Sequence, residues 1–261
     1  MIQVQDVTVS NGKLVYYFED NQQTKNTIFL PDMTQSVNSC LQIMIYNGLT
    51  NSYALDFRYH GLSSAQGAYD LNSLASDLTE FIQKIALTNY QIVAAGNAVW
   101  VVEQAILQYQ IQPQKVVALD SDFITDNTSI LDADFADYST LLATKKQAIN
   151  QQAATLDLQE YQQQMILNAQ MADYHKVEQA YQLYVTTTKQ QEFNASLPRR
   201  SFSSLAMPTT LLLTKASQQK IVTQKLTPTQ RKSYAAFECY VIDKTPHELL
   251  WYAPLTVLNF I

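Results

Sequence analysis

Gln91-Ile92-Val93-Ala94-Ala95-Gly96-Asn97-Ala98-Val99-Trp100 is the stretch on which the reading of the whole chain depends. A β-branched pair, Ile92 and Val93, passes through very small residues into an amphipathic pattern carried by Val99, Val102, Ala105, Ile106 and Tyr109. That order describes a strand turning sharply into a helix. Only small side chains permit so tight a turn, because the two backbones nearly touch at it.

The chain on either side repeats this logic. Residues 2–9 and 13–19 alternate apolar and polar around Ser10-Asn11-Gly12, which predicts a hairpin. Thr27-Ile28-Phe29-Leu30 is a short apolar strand that stops at Pro31, and residues 36–47 form a helical segment ended by Asn47-Gly48. Tyr53-Ala54-Leu55-Asp56-Phe57 predicts another buried strand. Asp70 then opens a long helix with Leu71, Leu74, Leu78, Phe81, Ile82 and Ile85 on one face. After the central stretch comes the strand Lys115-Val116-Val117-Ala118-Leu119-Asp120. Strands alternating with helices predict the α/β class, a mostly parallel central sheet flanked by helices and opened by an antiparallel hairpin. Ligands bind such sheets at the carboxyl ends of the strands, which here are Pro31-Asp32, Asp56, Gly96 and Asp120.

Over residues 121–206 the alternation is lost. Apolar residues recur at helical spacing among many glutamines, with Tyr174, Tyr181 and Tyr184 as the packing stripe of one helix. The segment is expected to be a helical cap inserted into a core domain made of residues 1–120 and 207–261. Pro208-Thr209-Thr210-Leu211-Leu212-Leu213-Thr214 and Ala236-Phe237-Glu238-Cys239-Tyr240-Val241-Ile242 return to strands, and Pro254 opens a last helix. A cap above the strand ends can roof a pocket.

Composition excludes several function classes. Hydrophobic residues make up 47% of 261, enough for a full core. A net charge of −6, with Arg199-Arg200 as the nearest approach to a basic cluster, argues against nucleic-acid binding. No apolar run reaches the roughly 20 residues of a membrane span, and the N-terminus lacks a basic-then-apolar leader, so a soluble, cytoplasmic protein is expected. Cys40 and Cys239 are too few for a disulfide scaffold. Three scattered histidines give no zinc spacing, and neither a G-x-G-x-x-G nor a phosphate loop occurs, so no metal and no cofactor are expected.

The ensemble resembles the α/β-hydrolase family over nearly the whole chain. Ala94, Ala95, Gly96, Asn97 and Ala98 fall on the G-x-S-x-G nucleophile elbow of that family. Ala54-Leu55-Asp56-Phe57-Arg58-Tyr59-His60-Gly61-Leu62-Ser63 is similar to its A-x-D-x-R-G-H-G-x-S run. The segment 90–121 matches its elbow strand, helix and following strand ending in L-D-S. His247, seven residues before Pro254, resembles its catalytic-histidine loop.

The resemblance implies a nucleophilic serine, a histidine, a carboxylate and two backbone oxyanion donors. Gly96 stands at the serine position and has no side chain to attack anything. The usual acid position, near Ser217, offers no carboxylate in Thr214-Lys215-Ala216-Ser217-Gln218, and Pro31-Asp32 replaces the His-Gly at the end of the third strand. Glycine is the unstrained residue for an elbow released from catalysis. His60 resembles a position that is mainly structural in the family, and His175, in the helical insert beside Tyr174 and Lys176, is expected to be surface or cap packing.

Two functional expectations follow. The first is a pseudoenzyme that binds a small apolar molecule or a partner between core and cap, with Pro31, Asp32, Met33, Gly96, Asn97 and His247 around the site. The alternative is a serine-independent hydrolase or lyase acting on a small ester or carbonyl substrate through His247 and a carboxylate, Asp120 or Asp32, with the Asn97 N–H as oxyanion donor.

Overall fold

A computed structural model of the protein describes residues 1–32, 35–121, 147, 208–223, 237–243 and 249–261. Eight strands form one sheet: β1 (Gln3–Val9), β2 (Gly12–Glu19), β3 (Asn26–Leu30), β4 (Asn51–Leu55), β5 (Tyr90–Ala95), β6 (Val116–Leu119), β7 (Thr209–Thr214) and β8 (Glu238–Ile242). Their spatial order is β1-β2-β4-β3-β5-β6-β7-β8. The β1–β2 hairpin and the β2–β4 pair are antiparallel, and every later pair is parallel.

Strands of period two bury both faces when helices cover each side. Ile28, Leu30, Ile92, Ala94, Val116, Ala118, Leu211 and Leu213 point to one face, where they pack with α2 (Leu71–Lys84) and α3 (Ala98–Tyr109). Phe29, Ala54, Val93, Val117, Leu119 and Leu212 point to the other. There they meet α1 (Leu41–Tyr46) and the C-terminal α5 (Leu249–Tyr252) and α6 (Pro254–Leu258) through Ile43, Met44, Leu250 and Val257. A further helix, α4 (Lys215–Thr223), follows β7 directly. Leu71, Leu74, Leu78, Phe81 and Ile82 of the apolar stripe of α2 are buried and Ile85 is half-buried at its end, and the first turn is closed by Asp70, whose carboxylate accepts from the Ser73 N–H at 2.7 Å.

Several boundaries differ from those expected, three of them for local reasons or by two residues. The 36–47 segment opens as a 3-10 turn, Val37–Cys40, before α1, because Ser36 and Ser39 bond locally: the Ser39 hydroxyl donates to the Ser36 carbonyl at 3.0 Å. β4 ends at Leu55 rather than at residue 57, since the Asp56 carboxylate turns away to accept from the Val37 N–H at 2.8 Å. β8 begins at Glu238, two residues after the expected start. Among the described residues no helix is long and apolar enough to cross a membrane. β6 and β7 are neighbours in the sheet, and the cap expected over 121–206 lies between them in sequence. Apart from Ser121 and Gln147, that segment is outside the described residues.

Candidate functional site

The register of the parallel strands assembles the site. Leu30 pairs with Ala94, so Asp32 and Gly96, each two residues further on, leave the sheet side by side. Ala95 pairs with Leu119, which sets Gly96 next to Asp120. The Gly96 N–H donates to the Leu119 carbonyl at 2.9 Å, and the chain then enters α3 at Ala98.

Gly96 adopts φ +51°, the left-handed region in which any other residue is strained. Space demands glycine as well. A Cβ built on it would lie 2.5 Å from Asp32 Cγ and 2.9 Å from Asp32 Oδ2. The Asp32 carboxyl therefore occupies the volume that an elbow side chain would fill. Its Oδ1 accepts from the Asn97 N–H at 2.9 Å, at the first turn of α3, where the helix dipole favours an anion. Asn97, the N-cap residue, gives α3 no side-chain cap; its own N–H is met instead by the carboxylate that follows β3.

Asp120 also has φ > 0, at +45°. Its Oδ1 accepts from both the N–H and the hydroxyl of Thr214, each at 3.0 Å. The Ser217 N–H in turn donates to the Thr214 hydroxyl oxygen at 3.3 Å. The turn after β7 thus carries a Thr-Ser pair that reaches back to the carboxylate at the end of β6. Ser217 is buried and supplies no charge. Pro31 is buried at the exit of β3. His247 and Met33 lie outside the described residues.

The loop after β4 is a structural clamp. Asp56 accepts from Val37 N–H and, at 3.2 Å, from Leu62 N–H, while the Ser63 hydroxyl donates to the Asp56 carbonyl at 2.8 Å. Gly61, at φ +51°, leaves room for the carboxylate: a Cβ there would lie 2.6 Å from Asp56 Oδ1. His60 is 1% exposed, its Nδ1 sits 2.9 Å from the Arg58 carbonyl and its ring stacks on Tyr69 at 5.9 Å. A ring nitrogen facing a carbonyl must carry the proton, which fixes the tautomer and leaves Nε2 toward the Tyr69 hydroxyl at 3.5 Å.

Arg58 forms a buried bidentate pair with Asp77 of α2, Nε to Oδ2 and Nη2 to Oδ1, both 2.7 Å. Its remaining N–H groups donate to the carbonyls of Gln66, Ala68 and Ser73. Burial raises the Asp77 carboxyl above its usual range, against the opposing pull of Arg58. Sequence reasoning passed over Asp77. The available signal was a charge at a position three residues from Leu74 and four from Phe81, on the apolar side of α2. Among the described residues no group of His, Cys, Asp and Glu is arranged to hold a metal ion.

No protein-family model matches the sequence, and no curated protein matches it. Solved structures do. An epoxide hydrolase from Vigna radiata superimposes with a TM-score of 0.74 at 12% identity, over 99% of this chain and 96% of its own. E-2-(acetamidomethylene)succinate hydrolase gives 0.66 at 15% identity, over 100% of this chain and 97% of its own. A haloalkane dehalogenase loop variant from Bradyrhizobium elkanii gives 0.61 at 14%, over 100% and 95%. At these identities the likeness is one of fold alone.

Proposed function

We propose that this chain, which has the α/β-hydrolase fold, carries out no serine-dependent acyl transfer and binds a small, largely apolar molecule between its strand ends and a helical cap over residues 121–206. The reading rests on the Asp32 carboxylate lying over Gly96 with its Oδ1 on the Asn97 N–H. Acyl transfer needs a nucleophile at that place and a donor waiting for the charge that develops on the carbonyl oxygen. Here the nucleophile's side chain is missing, and an anion already holds the donor. A second negative charge at about 4 Å would cost on the order of 4 kcal/mol at an effective dielectric of about 20. The fold is retained while the site is spent on an internal contact.

The test pairs two measurements on the wild type: hydrolysis of short and medium acyl aryl esters, and the shift in melting temperature with apolar small molecules. Inertness toward the esters with a concentration-dependent rise in melting temperature supports the reading. Ester turnover that His247→Ala abolishes overturns it.

Asp120 favours a second reading, catalysis without serine. Its carboxylate stands at the end of β6 beside the elbow. In that case His247 and a carboxylate would act on a small ester or carbonyl substrate as hydrolase or lyase. Loss of turnover in both His247→Ala and Asp120→Asn is the result it requires.

A further inference from the structure

We propose that Asn11-Gly12 is a self-modifying site, at which the asparagine converts to isoaspartate in the folded protein, and that the conversion unlatches the loop held beside Arg58. Of the 5 glycines, those at 12 and 48 follow an asparagine. In such a pair the glycine nitrogen can reach the asparagine Cγ, because no side chain on the second residue stands in the way. The structure separates the two pairs. Asn47 is 1% exposed. Its Nδ2 donates to the Thr50 and Ser52 hydroxyl oxygens at 2.7 and 2.9 Å, and its Oδ1 accepts from the Leu49 N–H at 3.3 Å. The Gly48 N–H is itself tied to the Tyr46 carbonyl at 3.1 Å. Both reacting groups must leave buried bonds before they can meet. Asn11 instead stands exposed at the tip of the β1–β2 hairpin, and among the described residues none bonds its side-chain amide.

In the first step the Gly12 nitrogen gives up its proton and bonds to Asn11 Cγ, the Cγ–Nδ2 bond breaks, and Nδ2 leaves as ammonia. Water then opens the cyclic imide. Addition at the main-chain carbonyl carbon breaks its bond to the Gly12 nitrogen, leaves that carbonyl as a carboxylate and routes the chain through Cβ and Cγ. The carbonyl so removed from the chain is the one that accepts from the Gln66 N–H at 2.9 Å, beside the Lys13 carbonyl that accepts from Ser64 and Ala65 at 2.9 and 3.0 Å. The Gln66 carbonyl in turn accepts from Arg58 Nη1 at 3.1 Å. The lengthened turn has no room to slide, since a Cβ on Gly12 would already lie 2.8 Å from Ala65 Cα. The new charge also falls one residue from Ser10, whose N–H and hydroxyl hold the Glu80 carboxylate at 2.8 and 3.0 Å, and like charges repel there. Geometry and charge both act to release residues 64–66.

Folded wild-type protein is held in mildly alkaline buffer, digested with trypsin and read by tandem mass spectrometry. The peptide ending at Lys13 carries Asn11, and the one ending at Arg58 carries Asn47. Asn11 is expected to convert at least about tenfold faster than Asn47 in the folded protein, and at a similar rate to it in guanidinium, where the contacts around Asn47 are gone. Equal rates in the folded protein, or conversion of Asn47 first, overturn the assignment. So does an Asn11 that stays intact when folded while both convert in guanidinium. The isoaspartate form, separated by its added charge, is expected to exchange the Ser64, Ala65 and Gln66 amides faster than the parent. Asn11→Asp carries the charge without the extra backbone atom and is expected to speed them less, while Asn11→Ser abolishes the conversion and leaves their exchange unchanged. Exchange at all three amides that is no faster in the isoaspartate form overturns the unlatching.

Discussion

Asp32 and Asn97 are 65 positions apart in sequence and joined by one hydrogen bond of 2.9 Å, carboxylate oxygen to backbone N–H, across the top of the elbow. The contact makes Gly96 and Asp32 interdependent: a side chain at 96 and the carboxyl of 32 cannot share the space. Gly96→Ala is therefore expected to destabilise the fold twice over, through a left-handed backbone worth roughly 1–3 kcal/mol and through overlap with Asp32. The overlap part should vanish in an Asp32→Gly background. Chemical denaturation of the four proteins gives the coupling, expected at about 0.5–3 kcal/mol; additive effects would show that the two residues do not compete.

Removing the carboxylate alone has a smaller effect. Asp32→Ala takes away the anion at the start of α3 and leaves the Asn97 N–H to water, so a loss of about 0.5–2 kcal/mol is expected. Added salt should narrow the difference between wild type and variant, because the charge is partly exposed. A variant as stable as the wild type at low salt would mean that the bond contributes nothing net.

The Arg58–Asp77 pair should behave in the opposite way to a surface ion pair. Both side chains are 1% exposed, and Arg58 fills its other donors with carbonyls. Asp77→Ala leaves a buried guanidinium without its counter-charge, a loss of about 3–5 kcal/mol. Replacing both, as Arg58→Met with Asp77→Leu, should recover part of that loss in urea denaturation. A double variant worse than Asp77→Ala would assign the cost to packing and the carbonyl bonds rather than to the unpaired charge.

Alkaline pH should weaken the fold through three tyrosines. Burial raises Tyr16, with Asp6 adding to it; burial raises Tyr53, with Tyr16 and Asp20 adding to it; and burial raises Tyr90 against the bond from the Gln112 N–H. A folded-state value above the unfolded one of 10.0 means that the neutral phenol is favoured in the native state. The stability they contribute is therefore full below about pH 10 and lost as pH rises from there through the folded-state values. Denaturation midpoints on either side of that range should fall on the alkaline side, and Tyr53→Phe should flatten the dependence. An unchanged midpoint would mean that these phenols ionise as freely in the native state as in the unfolded chain.

How much of this was legible in the sequence varies with how local the cause is. The α/β-hydrolase fold was, because alternation in Ile92, Val93 and Ala94 and the stripe of α2 are set by residues near one another in the chain. The tight strand-to-helix turn at Gly96 was legible from its small residues, and the structure adds that a side chain there would meet the Asp32 carboxyl. The carboxyl over it was not. Asp32 named itself as a strand-end residue, but its place above residue 96 depends on β3 pairing with β5 across an intervening strand and two helices. Asp77 was missed for the same reason, since its partner lies on another element. Gly61 with Asp56 repeats the device on a smaller scale: a glycine at φ +51° whose missing side chain is replaced by a carboxylate.

Placing a serine at position 96 should not by itself give ester hydrolysis. Gly96→Ser places its Cβ against the Asp32 carboxyl and leaves the Asn97 N–H engaged, so the single variant is expected to be destabilised and inert toward aryl esters. Gly96→Ser with Asp32→Gly vacates both the space and the donor. One freed oxyanion donor is worth roughly 10²–10³ in rate where such sites operate, and an increase of that order over the single variant is the expected outcome. The comparison is made at matched concentration, with folding checked by thermal melts. If the single variant hydrolyses as fast as the double, Asp32 does not obstruct the site, and the internal contact is no barrier to the chemistry of the fold.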